Sequence, residues 1–207
     1  RLRTKLALSF FVVVFIPVMA VGLLLTGQLR DMALDNAVEQ TVANVERVKQ
    51  RTMEIINVAN DIAYRLANDD RLETVANRRY RSTWEVVSAY RSYPDFEQYV
   101  NLYNEISNIR FYMDNPTMLN NWEFMQPDEE IRNAWWYRRA LESYSGAVSW
   151  YYLEDERDRR HYLSLVRKVY FPTARTSGVL VVNVNMDTLG TIVAQEAFDT
   201  MIVDDTG

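Results

Sequence analysis

Two aromatic triplets, Trp135-Trp136-Tyr137 and Trp150-Tyr151-Tyr152, flank the turn signal Ser145-Gly146, and Trp122 and Phe124 precede them. Half-buried rings with free polar edges suit flat sugar faces or planar ligands, with Arg132, Arg138, Glu154 or Asn183 to fix orientation. The plain alternative is packing, since a small domain needs large side chains in its core. Strand alternation limits that alternative: Trp150 and Tyr152 share one face while Tyr151 takes the other, so the rings cannot all point inward. The expectation is a ligand pocket lined by Trp135, Trp136, Tyr137, Trp150, Tyr152, Glu154, Asn183 and Arg132.

Catalysis fits these residues poorly. The one histidine, His161, stands at the start of a strand pattern beside a charged run, and reads as a surface hairpin residue rather than a base or phosphoacceptor. Glu154, Asp155, Glu156 and Asp158 alternate with Arg157, Arg159 and Arg160, which reads as a solvated loop and matches no calcium-loop spacing. The chain has no cysteine, which excludes disulfides, thiolate metal sites and thiol nucleophiles. Neither a glycine-rich phosphate loop nor a histidine-containing metal pattern is present. A binding region without catalytic site, metal or cofactor is expected.

The elements that must position these residues change texture along the chain. Between Gly27 and Pro94 there is neither glycine nor proline, as a long helix requires. Within it Leu34, Val38, Thr41, Val45, Val48, Thr52, Ile55, Ala59, Ile62 and Leu66 alternate steps of four and three, the heptad seam of a helix packed lengthwise on another. Asn68-Asp69-Asp70 reads as a break or cap. A second helix is expected over Arg71–Tyr90 with Leu72, Val75, Ala76, Trp84 and Val87 inward, and a third from Pro94-Asp95. Ile106–Met113 reads as a strand ending in the turn Asp114-Asn115-Pro116. Trp135–Ser143 reads as a short helix, Ala147–Leu153, His161–Phe171 and Val179–Asn185 as strands, and Asp187 as the cap of a last helix. That order is α+β: helices laid across an antiparallel meander.

The first 27 residues set the location. Leu6–Leu25 carries no charge and is nearly all apolar, long enough as a helix to span the roughly 30 Å hydrocarbon core of a bilayer. Arg1, Arg3 and Lys5 precede it, whereas all 28 acids follow it. Positive flanking charge is retained in the cytoplasm, so residues 28–207 are expected outside the cell, on the anchor 1–27. A cleaved signal peptide is the rival, and the apolar run is longer than the usual core of about 7–15 residues. The formal charge of −5 leaves no basic patch for nucleic acid. Opening at Arg1 and closing on Asp204-Asp205-Thr206-Gly207, the chain reads as a piece of a longer protein.

The chain resembles the extracellular double-Cache sensor region of YesM-type sensor histidine kinases of Gram-positive bacteria. The residues carrying the resemblance are Lys5-Leu6-Ala7-Leu8-Ser9-Phe10 with Ile16-Pro17, Ile109–Pro116, Trp136-Tyr137 with Ala140, Leu163–Lys168, and Gly178–Asp187 leading into Leu189. It implies a stalk helix over 28–68, a membrane-distal PAS-like module over 69–198 and the start of a proximal module at 199–207. Cache modules that bind amino acids share an Arg two residues before the Trp, a Tyr-x-Asp on the next strand and an Asp on the last strand. This chain has Ala134, Tyr152-Leu153-Glu154 and Asn183 at those places, and so departs from the pattern. The aromatic enrichment, with the sugar-uptake context that the resemblance implies, points to a carbohydrate or related solute, or a docked solute-binding protein, as the partner of a homodimeric membrane receptor. Two alternatives stay open: a membrane-anchored helix-turn-helix regulator, and an anchored solute-binding protein without signalling output.

Overall fold

The computed structural model describes the backbone of residues 2–194 and the side chains of residues 10–194. The stretch 199–207, where a second module is expected to begin, lies outside the described residues. The chain divides into two compact units, residues 1–49 and 50–207.

The first unit is helical. Helix α1 (Leu2–Ala67) carries Pro17 within it and leaves Phe10, Phe11, Val13 and Leu23–Leu25 exposed. An 18-residue window of α1 reaches a mean hydropathy of 2.5, and by length and composition the helix can cross a membrane. Leu34, Val38, Val42 and Val45 are exposed as well.

The second unit is the expected α+β domain. Thr52, Ile55, Ala59, Ile62 and Leu66, the later half of the heptad seam, are buried. The Asp69 side chain accepts from Arg71 N and starts α2 (Asp70–Asn77). The single helix expected over 71–90 is in fact two, α2 and α3 (Thr83–Arg91). Ser82 Oγ accepts from Glu85 N and Glu85 Oε2 accepts from Arg81 N, a local pair of side-chain bonds that restarts the helix. The new start resets the helical phase, so Trp84 and Val87, expected inward, are exposed, while Val86 and Ala89 are buried. Helix α4 (Asp95–Leu102) follows and buries Phe96.

Strand β1 (Ile106–Met113) leads to a short β2 (Phe124–Met125), then α5 (Glu129–Asn133), α6 (Trp135–Glu142) and the meander β3 (Val148–Glu154), β4 (His161–Phe171), β5 (Thr176–Val184). The sheet order is β2-β1-β5-β4-β3. All neighbours are antiparallel except β1 and β2, which pair in parallel at Phe111–Phe124 and Tyr112–Met125, so the sheet is mixed where a purely antiparallel one is expected. Helix α7 (Met186–Ala194) is capped by Asn185, whose Oδ1 accepts from Asp187 N and Thr188 N, two residues before the expected cap at Asp187.

Alternation divides the strands between two layers. Ile109, Phe111, Leu165, Val169, Leu180 and Val182 pack on α1–α4, with Phe124 stacked on Tyr90 at 4.9 Å and against Phe96 at 5.1 Å. On the other face Tyr112, Val166, Val179 and Val181 pack on Ile131 of α5 and on Tyr137 and Ala140 of α6.

Candidate functional site

The second face is polar where β1, β5 and the β3–β4 hairpin meet. Arg110 is 4% exposed and Asp155 is 4% exposed, and the guanidinium Nη2 stands 2.5 Å from Asp155 Oδ1. The other Asp155 oxygen accepts from Asn183 Nδ2 at 3.2 Å and from Asn108 Nδ2 at 3.3 Å, and Arg157 N donates to Oδ1 at 2.8 Å. Asn183 accepts in turn from Ser164 Oγ at 2.7 Å and donates to Asn108 Oδ1 at 3.0 Å. The surrounding donors satisfy the hydrogen-bonding capacity of the buried carboxylate. Burial works against the charge on Arg110, but Tyr112 and Asp155 outweigh it and hold its pKa above the usual guanidinium value. Tyr112 donates to Glu156 Oε1 at 3.0 Å. Its phenol is pushed well up, chiefly by burial, then by the charge of Glu156, with Arg110 opposing.

Beside this network lies a cavity of about 150 Å3 between the sheet and the start of α6. Trp136, Tyr112, Glu154, Asp155 and Asn183 are among its walls. Trp136 meets Tyr112 and Tyr137 edge-on at 5.8 and 5.7 Å. The walls carry Glu130, Glu154, Asp155 and Glu156 against Arg110 and Arg159. Ser164 Oγ, the buried hydroxyl in the network, donates to Asn183 Oδ1 and reaches Tyr162 O at 3.2 Å.

Of the eight residues expected to form a pocket, Trp136, Glu154 and Asn183 come together at this cavity. Tyr137 is buried beneath it in the packing layer. Trp135 is exposed and meets Tyr151 at 4.7 Å. Trp150 packs on the opposite layer, and Tyr152 is exposed with its ring 5.3 Å from that of His161. Arg132 forms an exposed ion pair with Asp114 at 3.2 Å. Glu154 pairs with Arg159 at 2.7 Å. Sequence reasoning misses Arg110, Tyr112 and Asp155. A charge inside the apolar strand Ile109-Arg110-Phe111 is a legible signal for the first. Asp155, expected in a solvated loop, is buried because the hairpin closes over it, with Asp155 N donating to Arg160 O at 2.7 Å and Arg159 turned to a φ of 58°.

The solved structures similar to this chain are sensory domains. The ligand-binding domain of the Campylobacter jejuni chemoreceptor Tlp3 in complex with L-valine has a TM-score of 0.40 and 15% identity, covering 74% of this chain and 66% of that one. The sensory domain of the same chemoreceptor with isoleucine bound has a TM-score of 0.41 and 17% identity over 74% of this chain and 66% of that one. The complex with 4-methylisoleucine gives 0.39 and 16%, over 73% and 64%. The match thus spans about two thirds of those chains' own length. No family model and no curated protein matches the chain.

Proposed function

We propose that this chain is the ligand-sensing region of a membrane receptor, of the sensor histidine kinase kind, with residues 28–207 outside the cell. The observation that carries the reading is the cavity at Trp136: a recess lined by an aromatic edge and several polar side chains, on a domain that one unbroken helix joins to an apolar, membrane-length segment. The walls favour a neutral or cationic solute over a free carboxylate. Their one buried cation, Arg110, is already paired with Asp155, and the remaining charge is mostly acidic. A carbohydrate or related polyhydroxylated solute fits Asp155, Asn183 and Glu154 as hydrogen-bond partners and Trp136 as the apolar contact. The volume keeps the ligand small, below the range of about 300–1,000 Å3 for drug-sized sites. Under this reading 28–68 is the stalk and 69–198 the membrane-distal module. Two copies pair through the exposed Leu34, Val38 and Val45, and the ligand acts through its differential affinity for two stalk arrangements.

A thermal-shift screen of the full chain in detergent against sugars and amino acids tests this. A ligand at 100 times its dissociation constant adds about 2.7 kcal/mol of stability. Trp136→Ala is expected to abolish the shift, and a shift that survives it overturns the site. Protease applied to intact cells is expected to trim the chain beyond Gly27, and protection there overturns the topology. An H-box and ATP-binding motifs in the same gene product are expected for a kinase, and a DNA-binding output in their place overturns that part.

A further inference from the structure

The cavity at Trp136 shares a wall with a second one. Tyr112 on β1, Ile131 on α5 and Glu156 in the β3–β4 hairpin line the first, and the same three residues line a neighbouring cavity of about 360 Å3. Within that wall the Tyr112 hydroxyl donates to Glu156 Oε1 at 3.0 Å. The two partners are held differently. Tyr112 is 3% exposed, with Trp136 and Tyr137 edge-on at 5.8 and 6.1 Å. Glu156 is half-buried in the connection between two strands, so its carboxylate can change rotamer without unpacking the sheet.

The second cavity repeats the chemistry of the first. Met125 and Ile131 are its buried apolar walls, Asn120, Gln126 and Asp128 its polar ones, and Trp122 its aromatic one. Arg110 and Arg157 lie 5.6 and 5.8 Å from the Trp122 ring, and neither lines this cavity, so the indole is held from outside it. Trp122 also keeps a φ of 74°, costly for a bulky residue unless its surroundings impose it. Size points the same way. The first cavity, about 150 Å3, falls below the range of roughly 300–1,000 Å3 for drug-sized sites, and the second alone lies within it. A ligand group that passes between Tyr112 and Glu156 has to accept from the phenol and donate to the carboxylate, or the buried phenol loses its partner. A hydroxyl does both, whereas an ammonium only donates and a carboxylate only accepts.

We propose that the two cavities are halves of one site for a disaccharide-sized polyhydroxylated solute. One ring lies against Trp136, the next against Trp122, and a hydroxyl sits between Tyr112 and Glu156. This rests on the carbohydrate reading of the Trp136 cavity and extends it. The test is isothermal titration calorimetry of the full chain in lauryl dimethylamine oxide, a detergent without a sugar headgroup. The probes are maltose, cellobiose, lactose, melibiose, sucrose and xylobiose, each beside its own monosaccharides. At least one disaccharide is expected to bind about tenfold tighter than either of its units. Trp122→Asn removes the ring with a residue that tolerates this backbone region, and Asp128→Asn keeps the side-chain cap on Ile131 N. Neither position lines the Trp136 cavity, so both variants are expected to lose the disaccharide advantage and keep the monosaccharide affinity. Trp136→Ala is expected to abolish both. Monosaccharide binding that Trp136→Ala abolishes, with no gain for any disaccharide, overturns this proposal and leaves the reading of the Trp136 cavity standing. A gain that survives both Trp122→Asn and Asp128→Asn overturns it too, because the second ring then lies elsewhere. Absence of binding by every sugar overturns it together with the carbohydrate reading.

Discussion

On β5, Leu180 and Val182 enter a layer of apolar side chains under α1–α4, while Asn183, one residue on, enters a network of Asp155, Asn108 and Ser164. On β1, Ile109 and Phe111 share the first layer, while Arg110 and Tyr112 share the second face with Asp155 and Glu156. The same strands therefore meet two different demands. Close packing holds the first face, where any change of volume is felt. Mutual satisfaction of charges and amides holds the second, where removing one partner strands the others. The difference separates the roles: the apolar face supports the fold, and the polar face carries the proposed site.

The largest expected effect lies on the apolar side. A side chain at Gly178 would drive its Cβ into the Phe111 ring and to 2.8 Å from the main-chain oxygen of Tyr112, which cannot move aside like a side-chain tip. Gly178→Val is expected to lose more than about 3 kcal/mol, the upper end for overpacking, measured by urea unfolding. A smaller loss would mean that β1 and β5 can separate without penalty, and that the apolar face is looser than its burial implies.

Next comes the polar side. Asp155→Ala leaves Arg110 buried without its counter-ion, and is expected to cost about 3–5 kcal/mol. The double substitution Arg110→Met with Asp155→Leu removes both charges and is expected to recover most of that loss, because pairing rather than volume is what the site lacks. If the double variant is no more stable than Asp155→Ala, the network is holding shape as the other face does and the contrast fails.

Much of the scaffold was legible. β-rich composition marks β1 and one-face alternation marks β4, both to the residue, and the α3–α4 break at Pro94 is plain from composition. The heptad seam named the side of α1 that is buried from Thr52 to Leu66. What escaped was mostly long-range or local-chemical. The two-residue β2 is too short to show a period, and the Ser82–Glu85 pair sits inside an otherwise helical pattern that masks the restart. The site was harder still. Trp136 and Asn183 stand out by type, but nothing local distinguishes Asp155 from Glu154 or Glu156; only closure of the hairpin onto β1 buries the one and leaves its neighbours outside. Nor does spacing reveal that Trp150 faces the supporting layer, since strand phase is fixed by register with Leu165.

A milder test is Trp136→Ala. The ring is half buried, so its removal is expected to cost about 1–2 kcal/mol, less than the roughly 3–5 for a fully buried aromatic. Ligand response should nonetheless vanish. A stability loss in the full buried range would place Trp136 with the packing residues and move the boundary between the two faces.

The smallest effect is a pH dependence, and it too separates the faces. On the supporting side, burial pushes the Tyr90 phenol from 10.0 up to about 12, with Leu119 N–H opposing and Tyr80 adding to the rise. Its hydroxyl donates to Leu119 O at 2.6 Å, a bond that needs the proton. The folded chain thus keeps a proton that the unfolded chain releases near pH 10, so this contribution is whole below pH 10 and is lost as pH rises from about 10 to about 12. Tyr112 on the polar side is raised in the same sense, by burial first and by Glu156 next. Tyr90→Phe is expected to lower stability modestly at pH 8 and to flatten its decline between pH 10 and 12, followed by thermal melts across that window. Tyr112→Phe should also flatten the alkaline decline and, unlike Tyr90→Phe, weaken binding at neutral pH, because only Tyr112 lines the cavity. An alkaline profile unchanged by Tyr90→Phe would mean that the phenol is not held in its stack on Phe124, and that the apolar face is open at that corner.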